Sequence, residues 1–180
     1  MHPIRGDAKA PTSFSEVEHQ LGICEFPVPA TGNCQVFAVA QALLETQFHQ
    51  EPEQVCRLAA SLKKGVQQVA ELNWQMDFTW EARRSIVKRA YPRTKITKAN
   101  SSKLLLQWFH QFADSPTDGI TQLPKSLWGD NDTLRMMSKF LKKDIFILGQ
   151  EGDGKWACIR HEFRTVSSKG GNYQTSKERL

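Results

Sequence analysis

Apolar residues recur at intervals of three and four along most of the chain, a period that predicts helices. Helices are predicted at 13–20, 34–44, 51–72, 79–90, 103–112 and 130–141. An alternating stretch at 73–78 predicts a short strand. Apolar runs at 145–148 and 155–163 predict a late antiparallel pair joined by a glycine-rich turn. Several helices followed by a small late β-sheet predict an α+β fold.

The polar segments at the two ends set the expected domain limits. Residues 1–12 lack an apolar pattern and are predicted to be a disordered leader. One domain is expected over residues 13–165, a length ample for a hydrophobic core. Residues 166–180 turn polar again. This last segment is interpreted as a tail that forms an unfinished connection to a further strand.

Composition narrows the setting and the partners. The net charge of +5 permits contact with nucleic acid but does not demand it. The N-terminus has no apolar signal region, and no stretch has the length of a membrane span. The four cysteines are scattered, without the spacing of a disulfide framework or a zinc site. We therefore expect an intracellular protein, cytoplasmic or nuclear, with no metal, no cofactor and no membrane partner.

The stretch 31–34, Thr-Gly-Asn-Cys, places a thiol at the predicted start of a largely buried helix. The unpaired N–H groups and the positive end of the helix dipole favour a thiolate there. The same N–H groups can stabilise an oxyanion next to the sulfur. A cysteine at such a position is more often a small buried hydrophobe. Cys34 alone therefore does not establish a catalytic site.

The residues around Cys34, together with segments before and after them, strengthen the case for a catalytic cysteine. Gly32-Asn33-Cys34, followed by Phe37 and Ala38, resembles the nucleophile motif of the ovarian-tumour (OTU) family of cysteine proteases. The Phe-Pro-Val-Pro approach at 26–29 is similar to that family's lead-in strand. The segments 127–134 and 145–148 resemble its second landmark, an aromatic and glycine, a helix and an apolar strand. The resemblance covers residues 14–163.

The resemblance implies a papain-type fold with several helices packed on the small late sheet. Cys34 would be the nucleophile, and the backbone N–H groups of Thr31, Gly32 and Cys34 would form the oxyanion hole. The implied substrate is ubiquitin or a ubiquitin-like protein, cleaved at the bond after its C-terminal glycines. In this fold Trp128 and Gly129 should lie against the Cys34 helix, with the tryptophan ring buried.

Two departures from the family pattern leave alternatives open. Thr31 stands where the family has an acid, and no histidine occupies the usual late position before an aromatic. His161 is late and on a predicted strand, and is the minority candidate for the base. The favoured hypothesis is that the chain ends before the strand carrying the base. The alternatives are an inactive ubiquitin-binding module and, less favoured, a nucleic-acid-associated domain using the basic run at 83–98.

Overall fold

The computed structural model describes residues 13–150, 156–163 and 176–179. Within those ranges the chain forms six α-helices, one 3-10 turn and three strands, a mixed α+β architecture as predicted. The elements are α1 (Phe14–Leu21), α2 (Cys34–Leu44), α3 (Pro52–Asp77), α4 (Trp80–Ala90), α5 (Lys98–Asp114), the 3-10 turn (Lys125–Leu127), α6 (Asn131–Leu141), β1 (Ile145–Gln150), β2 (Trp156–His161) and β3 (Ser176–Arg179). None of the helices in these ranges is long and apolar enough to cross a membrane.

The chain divides into two compact units, and the smaller one takes residues 1–25, 146–160 and 175–180. In its described part, Ser13 caps α1 and forms a capping box with Glu16. The strands lie in the order β1-β2-β3, and β2 pairs antiparallel with β3. The Phe14 and Trp156 rings lie 5.7 Å apart between centroids. The unit therefore joins the first helix to the late strands.

The strand β3 lies inside the segment 166–180 that was predicted to be a polar tail. Its register places Cys158 opposite Glu178 and Ile159 opposite Lys177. The sequence Ser-Lys-Glu-Arg carries no apolar alternation, so the hydrophobic pattern gave no strand signal there. Backbone pairing with β2 defines this strand instead. The predicted leader at 1–12, most of the predicted turn and the rest of the tail lie outside the described residues.

The larger unit, residues 26–145 and 161–174, contains α2 to α6 around the long helix α3. Helix α3 packs against α2, α5 and α6, and α4 packs on α5. The core is aliphatic and aromatic, and its largest fully buried apolar side chains include Phe37, Leu62, Phe78, Leu105, Trp108, Phe109, Phe112, Met136 and Met137. Burial of rings and aliphatic chains on this scale is the main stabilising contribution to such a helical unit.

Two predicted boundaries in this unit were wrong. The expected strand at 73–78 is the last turn of α3, because the Phe78 N–H donates to the Trp74 carbonyl at 3.2 Å. Met76, a member of the alternating pattern, is 60% exposed, so the alternation did not mark a buried face. Helix α5 begins at Lys98 with Thr97 as its cap, five residues before the predicted start. Polar residues at 98–102 interrupt the apolar pattern but not the helix.

Gly65 lies in the middle of α3, and the helix runs unbroken through it. The Phe140 ring of α6 lies directly over this glycine. A Cβ placed there would come 2.5 Å from three atoms of that ring. Gly65 therefore permits the close approach of α6 to α3, and this explains a glycine inside a helix despite its propensity cost.

Candidate functional site

A tight turn precedes Cys34, and its conformation requires glycine. Gly32 has φ of 90°, in the left-handed region, and is buried. The Thr31 carbonyl accepts a hydrogen bond from the Leu123 N–H at 2.8 Å. The Trp128 indole N–H donates to the Leu123 carbonyl at 3.0 Å, and the ring lies over Gly32. A Cβ at Gly32 would lie 2.5 Å from Cδ1 of Trp128.

The structure thus brings together the two sequence landmarks that were expected to meet. Trp128 contacts the turn before Cys34, and Gly129 lies against the first turn of α2, where a Cβ would come 2.5 Å from Oε1 of Gln35. The tryptophan is not fully buried as predicted, because 38% of it is exposed. Its ring covers the turn on one side and faces solvent on the other.

Cys34 is the first residue of α2 and its side chain is exposed. The preceding residue, Asn33, is the N-cap, and its carbonyl accepts the Phe37 N–H at 2.9 Å, the first bond of the helix. Within the described residues, no side-chain capping bond is made at this terminus. The first N–H groups of a helix have no acceptor inside it. Donors at this terminus therefore remain available beside an exposed thiol.

The predicted oxyanion donors differ in their availability. The Thr31 N–H already donates to the Pro29 carbonyl at 2.9 Å, so it is not free to bind an oxyanion in this conformation. The Gly32 and Cys34 N–H groups have no hydrogen-bond partner in the described part of the chain. The set of donors is therefore shifted toward the helix start by comparison with the prediction. Sequence could not show the Thr31 bond, because it depends on how the Pro29 carbonyl turns back.

The Asn33 side chain is buried and points away from the helix it begins. Its Nδ2 donates to the Pro116 carbonyl at 2.8 Å, and its Oδ1 accepts from Lys63 Nζ at 3.2 Å. The same ammonium donates to the carbonyl and to the hydroxyl of Ser115, at 2.8 and 2.5 Å. A buried polar network therefore ties α2, α3 and the end of α5 together directly behind Cys34.

Lys63 is the member of this network that sequence reasoning missed. It is fully buried on α3, and burial lowers its pKa from 10.5 to about 8. A signal was present in the sequence. Position 63 lies four residues after Ala59 and three before Val66, on the apolar stripe of α3. A lysine on that stripe must be buried or must distort the helix packing.

His161, the minority candidate for the base, is buried at the end of β2 and only 3% exposed. Its Nε2 has no hydrogen-bond partner among the described residues, so it does not bond to Cys34 there. Burial, and then the positive charge of Arg135, lowers the pKa of its imidazole. Neutral His161 is therefore the form that the fold favours near neutral pH, but the structure does not pair it with the thiol.

The other cysteines differ from Cys34 in their surroundings. Cys24 is exposed, but it lies in the extended segment after α1 and not at a helix start. Cys56 is partly buried, and burial followed by the negative charge of Asp118 raises the pKa of its thiol. Within the described ranges, no three His, Cys, Asp or Glu side chains lie close enough together to hold a metal ion.

The basic run at 83–98 has structural partners at two positions. The Arg89 guanidinium pairs with Asp130 at 2.6 Å and lies 5.8 Å from the Trp108 ring centroid. Arg83 donates to the Phe78 carbonyl at 3.1 Å and lies over Trp74. These contacts connect α4 to the rest of the larger unit. They support a structural explanation for part of the run.

Comparison with known proteins adds no relative: no protein-family model, no curated protein and no solved structure matches this chain. The family assignment therefore stays a resemblance of motifs. The local geometry around Cys34 is the physical basis for a proposed function.

Proposed function

We propose that this chain is an OTU-like cysteine peptidase domain with a papain-type fold, acting on ubiquitin or ubiquitin-like conjugates. The observation that carries the proposal is the exposed Cys34 at an uncapped helix start. A glycine turn behind it is held under the Trp128 ring. The nucleophile motif at Cys34 and the aromatic-glycine motif at Trp128 and Gly129 are adjacent in space, although they are almost one hundred residues apart in sequence.

In this proposal the Cys34 thiolate attacks the carbonyl carbon of the substrate's C-terminal glycine. A C–S bond forms, and the carbonyl π electrons move to the oxygen, which becomes an oxyanion. The N–H groups of Gly32 and Cys34 are the donors that would stabilise it. The carbonyl then re-forms as the C–N bond breaks, the leaving amine takes a proton from water, and a second water hydrolyses the resulting thioester. The narrow approach of a glycine-rich substrate tail suits a turn with little side-chain bulk.

This mechanism also needs a group that accepts the proton of the Cys34 thiol. His161 does not bond to the thiol in the described residues, and Thr31 supplies no charge where the family has an acid. Neither side chain is then placed to take the proton of the thiol or to protonate the leaving amine. Loss of a triad member leaves a residual activity several orders of magnitude below the full value. We therefore expect slow turnover by the 180-residue chain.

The lack of a hydrogen bond between His161 and Cys34 in the described residues also supports a second candidate, a ubiquitin-binding module without catalysis. Such a module would keep the surface that holds the substrate tail but would lack the proton transfer. It predicts measurable ubiquitin binding with no thioester. The two candidates therefore differ in chemistry and not in partner.

Hydrolysis of a ubiquitin–fluorophore conjugate distinguishes the candidates. We expect slow turnover that Cys34→Ala abolishes and that added imidazole accelerates, because a small base can replace a missing side chain. Strong turnover abolished by His161→Ala would instead make His161 the base. No turnover with or without imidazole, together with retained ubiquitin binding, would favour the binding module. Absence of both turnover and binding in the folded protein would contradict the proposed function.

A further inference from the structure

Lys63 is an unusual residue for the middle of a helical core. Burying an ammonium is costly unless hydrogen bonds and opposite charge compensate for lost water. The three bonds from Nζ go to Asn33 and Ser115, both uncharged. An apolar side chain of similar length could fill the space above the Phe112 ring, 5.2 Å from Nζ, without that cost. The packing of α3 alone therefore does not explain a lysine here.

The bonds of Lys63 explain why the Asn33 side chain does not cap α2. Asparagine is among the best N-cap residues, because its side-chain oxygen normally accepts an N–H of the first turn. Here that oxygen accepts from Lys63, and the amide nitrogen is held by the Pro116 carbonyl. Both ends of the carboxamide are fixed. The residue directly before Cys34 is consequently held, and the first-turn donors stay available.

We propose that charged Lys63 is a positioning residue for Cys34, holding Asn33 away from the first turn of α2 and fixing the backbone at the thiol. This inference rests on the proposed function for the role of Cys34 as nucleophile. Its measurable content is the reactivity of the thiol, which needs no ubiquitin. Lys63 itself is buried and does not contact a substrate.

The charge of Lys63 makes the arrangement sensitive to pH. The charged groups that act on it are Asp114 at the end of α5 and Lys64 next along α3, which pair with each other. Helix α2 carries no charged residue. Burial lowers the pKa of Lys63 to about 8, so above that pH the amine is neutral and its hydrogen bonds lose their charge assistance. The hold on Asn33 should then weaken.

Alkylation of Cys34 by iodoacetamide, followed by peptide mass spectrometry, tests the proposal, with Cys24 as the internal reference. At pH 7, Lys63→Met and Asn33→Ala should each slow alkylation of Cys34 by about tenfold, a rise of about 1.4 kcal/mol in activation free energy. Alkylation of Cys34 in the double variant should be no slower than in either single variant, because both changes break the same hydrogen bond between Lys63 and Asn33. Lys88→Met removes an exposed charge on α4, outside this network, and should leave the alkylation rate unchanged.

A pH series adds a readout that a merely structural role would not move. The ratio of wild-type to Asn33→Ala rates should fall from about ten at pH 7 toward about three or less at pH 9, as the bonds lose charge assistance. If Lys63→Met does not fold, Ser115→Ala removes one acceptor and should slow Cys34 by about threefold. Folded variants with wild-type rates, or a constant ratio through pH 8, would overturn the proposal.

The outcome is separable from that of the proposed function. Absent ubiquitin hydrolysis with the expected alkylation pattern would reject the peptidase and keep the positioning role of Lys63. Hydrolysis that survives Lys63→Met unchanged would reject the positioning role and keep the peptidase.

Discussion

The starts of α2 and α6 lie side by side but are built in opposite ways. At α6 the Asp130 carboxylate accepts the N–H groups of Asp132 and Thr133, at 2.9 and 3.1 Å, and the Thr133 hydroxyl accepts the Asp130 N–H. At α2 the Asn33 carboxamide is drawn inward, and no side chain of the described residues caps the helix. Thr133 Oγ1 and Gln35 Oε1 are 3.4 Å apart, so the two termini touch.

The difference shows that the start of α2 lacks a stabilising contribution that the start of α6 has. A good side-chain cap contributes about 1 kcal/mol to a helix. Helix α6 has that contribution, whereas α2 lacks it although an asparagine occupies its N-cap position. The donors left at α2 lie beside the exposed Cys34. An uncapped start next to a fully capped one fits a site for an oxyanion better than it fits a purely structural helix.

Gly32→Ala should have the largest effect on stability, because it strains the turn that precedes α2. Both the left-handed backbone and the overlap with Trp128 oppose a side chain there, and together they should lower the free energy of unfolding by about 2–4 kcal/mol. Urea unfolding measures this loss. Gly22→Ala is the matched control, since Gly22 has φ of 63° but open space around a Cβ, and it should cost only about 1–2 kcal/mol. Equal losses would contradict the close contact with Trp128.

Trp128→Ala should destabilise the protein by about 1–3 kcal/mol, less than the about 3–5 kcal/mol typical of a fully buried tryptophan. The ring covers Gly32 but is more than one third exposed. Trp108→Ala supplies the comparison, because Trp108 is fully buried and its indole N–H donates to the Ser126 carbonyl. A loss for Trp128 as large as that for Trp108 would show that the ring is more deeply covered than the structure indicates.

Asp130→Ala removes the cap of α6 and should cost about 1 kcal/mol, within the range of cap deletions. The reactivity of Cys34 should be unchanged, because the α2 start does not use this cap. Asp130→Asn keeps a capping side chain but removes the charge that pairs with Arg89, and so separates the cap from the ion pair. A marked loss of Cys34 alkylation in Asp130→Ala would mean that the two helix starts are coupled.

The pH dependence of stability probes the α2 side alone. Between pH 8 and 10.5 the unfolded chain binds a proton at Lys63 that the folded chain has lost. The free energy of unfolding of the wild type, relative to Lys63→Met, should therefore rise with pH across this window and stay level below it. Urea titrations at pH 7, 8, 9 and 10 measure the difference. A relative stability that falls above pH 8 would contradict a buried, destabilised ammonium.

Much of the helical framework could be predicted from the sequence, and so could the position of Cys34 at a helix start. Amphipathic period and capping residues are local signals, and Ser13 and Asp130 cap α1 and α6. The resemblance predicted that Trp128 and Gly129 lie against the Cys34 helix; Gly129 lies against its first turn, and Trp128 contacts the turn before it. These features depend on neighbours in sequence or on motifs that carry their own geometry.

Other features of the fold and of the site depend on contacts between distant segments. The Lys63 network needs Asn33 and Ser115, which are 30 and 52 positions away from it. The strand β3 is polar and is defined by its pairing with β2, not by an apolar face. The alternation at 73–78 matched a strand pattern, but α3 continues through it. Local pattern does not reveal the Lys63 network or β3, because their hydrogen bonds come from distant segments, whereas at 73–78 the bond from the Phe78 N–H to the Trp74 carbonyl extends the helix against the alternating pattern.

The central claim is that Cys34 is the nucleophile of a site that accepts the C-terminal tail of ubiquitin. The most direct measurement is incubation of the intact chain with ubiquitin carrying a C-terminal vinyl sulfone, followed by intact and peptide mass spectrometry. We predict one added ubiquitin, on Cys34, formed much faster than any adduct on Cys24, and absent in Cys34→Ala. An adduct on Cys24, Cys56 or Cys158 instead, or no adduct on the folded protein, would contradict the account.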